Sequence, residues 1–449
     1  MSQKTLDEFM KEKMEKINKN IIFYKETEFK ETPIGKIPKD WNTVRLEEIC
    51  TKIKAGGTPS TSKKEFWNGN IPFVKIEDIT SAGKYLNRTN TSISELGLKN
   101  TNAWIVPEKS LLLAMYGSIG EVAINTIPVA TNQAILGIIP KNKDNVEFLY
   151  YWYLYFKPNW KKYAKTTTQA NLTAHIVKNS IIPLPPPLER KVITEILTTL
   201  DNAIEATEKY IEKLERLKHG LMQELLTKGI GHKEFKETPI GKIPKEWKSI
   251  KIKEIAIFLR RGKNPKYGIS DVVVIKTAHN YPDRIKFEEA PRADPTFIKK
   301  IPKDYFLKPG DILINSTGTG SVGRVGFFEG YELPCTVDSH ITILRVNQNI
   351  VLPKYMFYYL SSPYGFKTLE SRAIGSTNQI ELYTNAIENI YIPLPPLEEQ
   401  KYIATILSTI DKWIELEKKR KEKLERLKRG LMDLLLTGKI RVKVKGDQL

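Results

Sequence analysis

Cysteine is nearly absent: Cys50 and Cys335 are the only two in 449 residues, and they are isolated. A disulfide framework or a cysteine-based metal site is therefore not expected. Long hydrophobic runs are missing too. No stretch approaches the roughly 18 apolar residues a membrane helix needs. The opening segment MSQKTLDEFMKEKMEK is charged and helix-like, with no apolar signal core, which implies a cytoplasmic protein without a membrane partner. Acidic residues are under-represented: 52 Asp+Glu against 71 Lys+Arg, a formal net charge of +19. That imbalance favours a polyanionic partner, most simply nucleic acid, although a lysine-rich surface from a compositionally biased genome would give the same count.

Catalytic signatures are also missing. There is no G-x-x-x-x-G-K-[ST] loop to cradle ATP phosphates. His175, His219, His232, His279 and His340 are scattered without H-E-x-x-H spacing. The stretch NIPF at Asn70–Phe73 resembles an amino-methyltransferase motif but lacks its second proline. GTGSVG at Gly318–Gly323 matches the dinucleotide pattern G-x-G-x-x-G, yet the following RVGFFEG reads as a strand. No helix N-terminus would then meet a pyrophosphate. The matching loop of the first half, MYGSIGEVAI (Met115–Ile124), lacks the first glycine. Both read as glycine-rich turns between strands, where backbone can approach a ligand closely.

What the chain does contain is a repeat. EFKETPIGKIPK occurs at Glu28–Lys39 and again at Glu234–Lys245, followed by Asp40-Trp41 and Glu246-Trp247. IPLPPPLERKVITEIL (Ile182–Leu197) returns as IPLPPLEEQKYIATIL (Ile392–Leu407), and KLERLKHGLMQELLTKGI (Lys213–Ile230) as KLERLKRGLMDLLLTGKI (Lys423–Ile440). Order and spacing are preserved, so the plan is variable block, helical block, variable block, helical block. The length is too great for one core. The boundaries fall at an N-terminal helical segment 1–20, a first domain 21–182, a helical region 183–232, a second domain 233–392 and a helical region 393–449.

Each helical block starts at prolines, which suit a first helical turn. Leu200, Ile204, Ile211, Leu214, Leu221 and Leu225 then recur at spacings of three, four or seven, as do Ile410, Ile414, Leu424, Leu431 and Leu435. Gly229 and Gly438 are plausible stops. Thr207, Lys218, Glu417 and Lys428 interrupt the seams, so neither helix reads as a strong homodimer zipper. Two such helices in one chain are natural antiparallel partners. The variable blocks carry short β-branched runs (71–76, 110–117, 134–140, 271–277, 311–317, 340–346), each set followed by an aromatic helical segment (147–156 and 354–362) whose rings read as core. The fold class is α/β (α+β): two mixed α/β domains separated by two long antiparallel coiled-coil helices, with a pseudo-two-fold internal repeat.

This ordered duplication, with PLPP-x-x-E before each helix and LLTGKIRV near the end, resembles the specificity subunit of type I restriction–modification systems. The resemblance spans essentially the whole chain. It implies that each variable block is a target-recognition domain reading half of a split DNA sequence, and that the helices hold the domains apart and bind modification (methyltransferase) subunits, two of them. It implies restriction subunits as further partners and no catalysis in this chain. S-adenosylmethionine, ATP and Mg would then belong to the partners. The repeated ETPIGKIPK-[DE]-W would be the structural entry to each recognition domain. IKAGGTPST (Ile53–Thr61) faces FLRRGKNPK (Phe258–Lys266), polar against basic, and GGTPS resembles a motif of the family's recognition domains. Loop residues at matching places are the candidate DNA contacts: Thr58, Ser60, Lys75, Tyr116, Ser118, Asn132, Gln133 and Gln169 in the first domain; Arg260, Arg261, Lys263, Lys276, Thr319, Ser321, Ser339, His340, Asn378 and Gln379 in the second. Asn and Gln can pair bidentately with adenine, Arg and Lys with guanine or phosphate. A stand-alone pseudo-dimeric repressor, or an unrecognised nuclease or methyltransferase, are the alternatives.

Overall fold

The computed structural model describes residues 21–163, 172–375 and 380–444; the expected N-terminal helical segment 1–20 lies outside them. The chain forms two compact units, residues 1–207 with 421–449, and residues 208–420. Each unit therefore contains one variable domain and half of each long helix.

In the first unit a five-stranded sheet runs in the order Cys50–Ala55, Ile135–Pro140, Ser110–Ala114, Val122–Asn125, Tyr85–Leu86. Its pairs are antiparallel except the last. Ser110–Ala114 is buried along its whole length, as a central strand between two neighbours should be. A smaller sheet places Ala130–Thr131 parallel to Phe73–Val74. The aromatic segment forms the helix Asn145–Phe156. Phe148, Leu149, Tyr151, Trp152, Tyr153 and Phe156 all enter one core with Leu111, Leu113, Ile124 and Leu136, so these rings are core, as their density implied.

The second unit repeats the plan. Its four-stranded sheet runs Ala256–Arg261, Ile341–Val346, Asp311–Asn315, Val325–Phe328, and Val273–Ile275 lies parallel to Cys335–Val337. Helix Pro353–Ser361 supplies Tyr355, Phe357, Tyr358 and Tyr359 to the core. The expected strands are present but mostly shorter at their loop ends, while the aromatic helices run Asn145–Phe156 and Pro353–Ser361, starting two residues and one residue earlier than expected. The runs 110–117 and 311–317 stop at Ala114 and Asn315, where the glycine-bearing turns begin.

The long helices span Pro187–Leu225 and Leu397–Leu436, 39 and 40 residues, or about 60 Å each. They pack antiparallel on their apolar stripes. In the first unit Ile193, Ile196 and Leu197 share a core with Met432, Leu435 and Leu436. In the second, Ile211 and Leu214 meet Ile410 and Ile414, while Met222 and Leu226 join Ile403 and Leu407. Gly229 and Gly438 follow the helices with φ of +69° each, the left-handed geometry glycine adopts at a helix C-terminus.

The polar seam positions are satisfied rather than merely tolerated. Lys218 Nζ lies 2.6 Å from Asp411, which also accepts from Tyr358 Oη at 2.7 Å. Lys428 pairs with Asp201, which accepts from Tyr151 Oη at 2.6 Å. The same Lys–Asp–Tyr triad thus ties a helix pair to an aromatic helix in each unit. Burial and the adjoining carboxylates push both tyrosines well above the ordinary range, so they stay protonated donors. Thr207, 1% exposed, donates back to the Ala203 carbonyl at 2.8 Å.

The first unit is closed by its ends. Strand Ile21–Lys25 pairs antiparallel with Ile440–Val444. The buried Arg441 donates to Glu189 (2.7 and 2.8 Å), Asp40 (2.9 and 2.8 Å) and Glu26 (2.6 Å). Glu189 also accepts from Trp41 Nε1 at 3.1 Å, which is what the repeated tryptophan is for. In the second unit Glu399 receives Trp247 Nε1, His232 Nε2 and the Ile230 amide, each at 2.9 Å.

Candidate nucleic-acid interface

In each domain three loops meet at the C-terminal end of the short parallel pair. In the first domain the Asn132 amide donates to the Val74 carbonyl (3.4 Å), Gly57 to Thr131 (3.0 Å), Gly56 to Ile135 (3.3 Å) and Met115 to Ala134 (2.8 Å). In the second, Asp338 donates to Ile275 (3.1 Å), Gly262 to Ile341 (2.9 Å) and Ser316 to His340 (2.8 Å). These bonds correct the pairing of the two entry loops by one residue. Gly56 corresponds to Gly262 and Pro59 to Pro265, giving a shared G-x-x-P. The strand register decides this, because Ile53 and Leu259 are the inward residues, opposite Ile138 and Leu344.

Glycine is required at both positions. A Cβ at Gly56 would lie 1.8 Å from the Thr131 carbonyl oxygen, and one at Gly262 would lie 2.2 Å from that of Asp338. Close backbone approach is what holds the entry loop against the neighbouring turn.

On this frame the first domain presents mainly hydroxyls and amides, with Lys63 and Lys75 beside them. Thr58 Oγ1 donates to Gln133 Oε1 at 2.5 Å, joining two candidates 75 residues apart. Asn132 accepts from the Ala134 amide (3.0 Å) and so shapes its own turn. Ser60 bonds Ser62, and its carbonyl accepts from Trp67 Nε1. Lys75 is half-buried at the strand end, its amide on Asp78 at 2.8 Å. Tyr116 is exposed and Ser118 half-buried on the glycine turn. Asn100, Asn102 and Lys63 line the same groove as Thr58, Ser60 and Gln133; the sequence reading missed them, and only their polar clustering could have pointed there.

The second domain is cationic at equivalent places. Arg260 is exposed, with Nη1 on the Leu259 carbonyl (3.0 Å). Arg261 is held, donating to the Ser339 carbonyl (3.0 Å) and facing Glu381 (3.5 Å), so it braces the Ser339 turn. Lys263 Nζ sits 4.9 Å from the Tyr305 ring and Lys276 Nζ 5.5 Å from Tyr267. His340 Nδ1 bonds Thr317 Oγ1 at 2.8 Å. Thr319 is exposed, and Ser321 donates to the Thr317 carbonyl at 3.2 Å. Gln169, Asn378 and Gln379 lie outside the described residues.

Asp338 was not anticipated. It occupies the place of Asn132 and, like it, accepts from the amide two residues on (His340, 3.0 Å). It is 2% exposed. Burial pushes its carboxyl above the ordinary range, despite the His340 amide and the nearby His340, Lys276 and His279, which pull it down. A raised carboxyl pKa favours the folded state only while protonated. That contribution is complete below the ordinary value of 3.8 and lost as pH rises through the folded value. Asp338→Asn, which copies the first domain, should therefore stabilise the second unit at neutral pH by about 1 kcal/mol. Urea titration at pH 7 and pH 4 tests this; the gain should shrink at pH 4, and a loss of stability at pH 7 would refute it.

Two domains with one loop frame and different side chains are built to present two different polar surfaces at the same structural place. The chain belongs to the family of type I restriction modification DNA specificity domains, whose model matches residues 38–216 and 244–426. It is a specificity subunit of type I restriction–modification. It is 33% identical over 431 residues to the type I restriction enzyme MjaVIII specificity subunit of Methanocaldococcus jannaschii, covering 94% of this chain and 98% of that one. The EcoBI specificity subunit of Escherichia coli is 22% identical over 395 residues, covering 82% and 78%. Among solved structures, a type I restriction–modification system S subunit from M. genitalium shares the fold with a TM-score of 0.54 at 15% identity, covering 88% of this chain and 96% of that one. Another chain, from a structure on complex assembly and conformational transition of the type I R-M system, gives 0.57 at 19% identity, covering 90% and 99%. No helix among the described residues is long and apolar enough to cross a membrane.

Proposed function

We propose that each recognition domain reads one half of a bipartite, asymmetric double-stranded DNA target through the loops 56–63, 116–120 and 131–134, or 260–265, 317–323 and 338–340. The observation that carries this reading is the matched frame with unmatched side chains. A shared strand frame with matching backbone hydrogen bonds fixes where the loops sit, and their residues select the bases. The hydroxyls and amides that predominate over Lys63 in the first domain's loops suit a different half-site from the arginine and lysines of the second. The long helices set the spacing between half-sites and hold two modification subunits, with restriction subunits completing the assembly in the cytoplasm. The chain itself is non-catalytic; S-adenosylmethionine, ATP and Mg are bound by its partners.

The test is a block exchange. Residues 42–180 are replaced by the corresponding block of another specificity subunit, and methylated sites are mapped by sequencing DNA modified by the assembled complex. One half of the target should change completely while the other stays fixed. A change in both halves would refute independent reading.

A further inference from the structure

Twelve residues recur without a single change, Glu28–Lys39 and Glu234–Lys245, and most of that identity lies on the surface. Each copy is a two-stranded hairpin, Phe29–Thr32 with Gly35–Pro38 and Phe235–Thr238 with Gly241–Pro244, in the same register. The fold accounts for part of it. Ile37 and Ile243 are buried, and Gly35 and Gly241 turn with φ of +104° and +91°. It does not account for Glu28, Glu31, Lys36 and Lys39, which are exposed in both copies.

A recent duplication does not account for it either. Directly after each tryptophan the exposed positions diverge: Asn42 becomes Lys248, Glu47 becomes Lys253 and Thr51 becomes Ile257. The buried neighbour stays apolar, Leu46 against Ile252. Drift at exposed sites is therefore the rule in these domains, and the hairpins escape it. A second stretch escapes with them. KLERLK at Lys213–Lys218 and Lys423–Lys428 is identical, with Leu217 and Leu427 about half exposed in each. Each unit holds one hairpin and one such helical stretch. The helix beyond it ends near the base of the hairpin, at Gly438 beside Pro38 and Trp41 and at Gly229 beside Trp247, the tryptophan that follows the second hairpin.

We propose that the two hairpins are matched docking elements, each gripping the same face of one modification subunit and extending the contact made by the Leu217 or Leu427 turn. This rests on the reading that modification subunits bind this chain. The same surface presented twice calls for the same partner twice. Base reading does not fit, because identical side chains would not select two different half-sites. The hairpin charges are also largely paired among themselves: Lys36 with Glu31 (3.5 Å), Lys39 with Glu28 (3.4 Å), and their copies at 3.7 and 2.9 Å. Such a surface offers phosphates few free cations and suits a protein face of mixed charge.

The experiment inverts the charges while keeping each hairpin's own ion pair: Glu31→Lys with Lys36→Glu, Glu237→Lys with Lys242→Glu, and all four together. Modification subunits bound per full-length chain are counted by native mass spectrometry, using the modification subunit that co-purifies with the unaltered chain. Thermal unfolding and the DNA affinity of the free chain are measured alongside. Each pair of changes should remove one modification subunit, and all four should weaken capture of both by about tenfold or more, with unfolding and DNA affinity unchanged. Retention of both subunits at unaltered affinity by the fourfold variant would overturn the proposal. So would a fall in free-chain DNA affinity with capture intact. If the unaltered chain captured no modification subunit, the reading in the preceding section would itself fail.

Discussion

Replacing Arg441 with methionine is expected to destabilise the first unit by about 3–5 kcal/mol, the usual consequence of removing one partner from a buried charge cluster. Its side chain is 6% exposed, as is that of Glu189 to a similar degree. Burial alone would lower the arginine's pKa, but the hydrogen bonds it donates to Glu189, Asp40 and Glu26 outweigh it and hold the guanidinium charged. Without it, Glu189 keeps Trp41 Nε1 and the Val442 amide but loses its cation. The effect should be local. Amide exchange should accelerate in Ile21–Lys25 and Ile440–Val444, while strands of the second unit keep their protection. Adding Glu189→Met should recover part of the loss, since the uncompensated charge is then gone but Trp41 is left without an acceptor. Unchanged exchange in the paired terminal strands would refute the role given to this cluster. Glu26 adds a pH dependence of definite sign. Backbone amides at Glu28 and Thr27, together with Arg441, lower its pKa. Its contribution is present above the ordinary glutamate value of 4.5 and is lost as pH falls through the lower folded value.

Gly262→Val should cripple reading of the second half-site, and Gly56→Val that of the first. In both places the new side chain would collide with backbone carbonyls, at 2.2 and 2.5 Å beside Gly262 and at 1.8 Å beside Gly56. Backbone cannot rotate away as a flexible side chain would, so the entry loop must lift from the turn it rests on. Lifting it would displace together two or three of the side chains proposed to meet bases, each good base contact being worth about 1–3 kcal/mol. Affinity for the cognate duplex should therefore fall roughly a hundredfold or more. Overpacking should cost the fold only about 1–3 kcal/mol, so the variants should still be folded by circular dichroism. Fluorescence anisotropy with the target duplex, and with duplexes scrambled in one half, separates the two sites. Wild-type affinity in either folded variant would show that the loops are not the readers.

The repeat, the two long helices and their antiparallel pairing were legible because they rest on long periodic signals. The aromatic helices were legible because so many rings in one segment can only be buried. What escaped depended on partners distant in sequence. Lys218 and Lys428 read as flaws in a hydrophobic seam until Asp411 and Asp201 stand opposite them. The pairing of Gly56 with Gly262 slipped by one residue because local resemblance favoured the second glycine of Gly56-Gly57, whereas strand register sets the true match. Asp338 was passed over, since nothing in TVDSH reveals burial. The Thr58–Gln133 bond joins loops that only the sheet brings together. The division of each helix between two units was invisible, because the helices read as uninterrupted blocks.

The pairing of the first described strand with the last has a consequence for synthesis. A ribosome finishes every residue of the second unit, 208–420, before it reaches Ile440–Val444. At roughly 5–20 residues per second, the first domain waits on the order of ten to fifty seconds for Arg441 to reach Glu189. The unit encoded first is thus completed last. A chain terminated prematurely after Leu436 would release an intact second unit and an unclosed first one, the reverse of what truncation from that end would suggest.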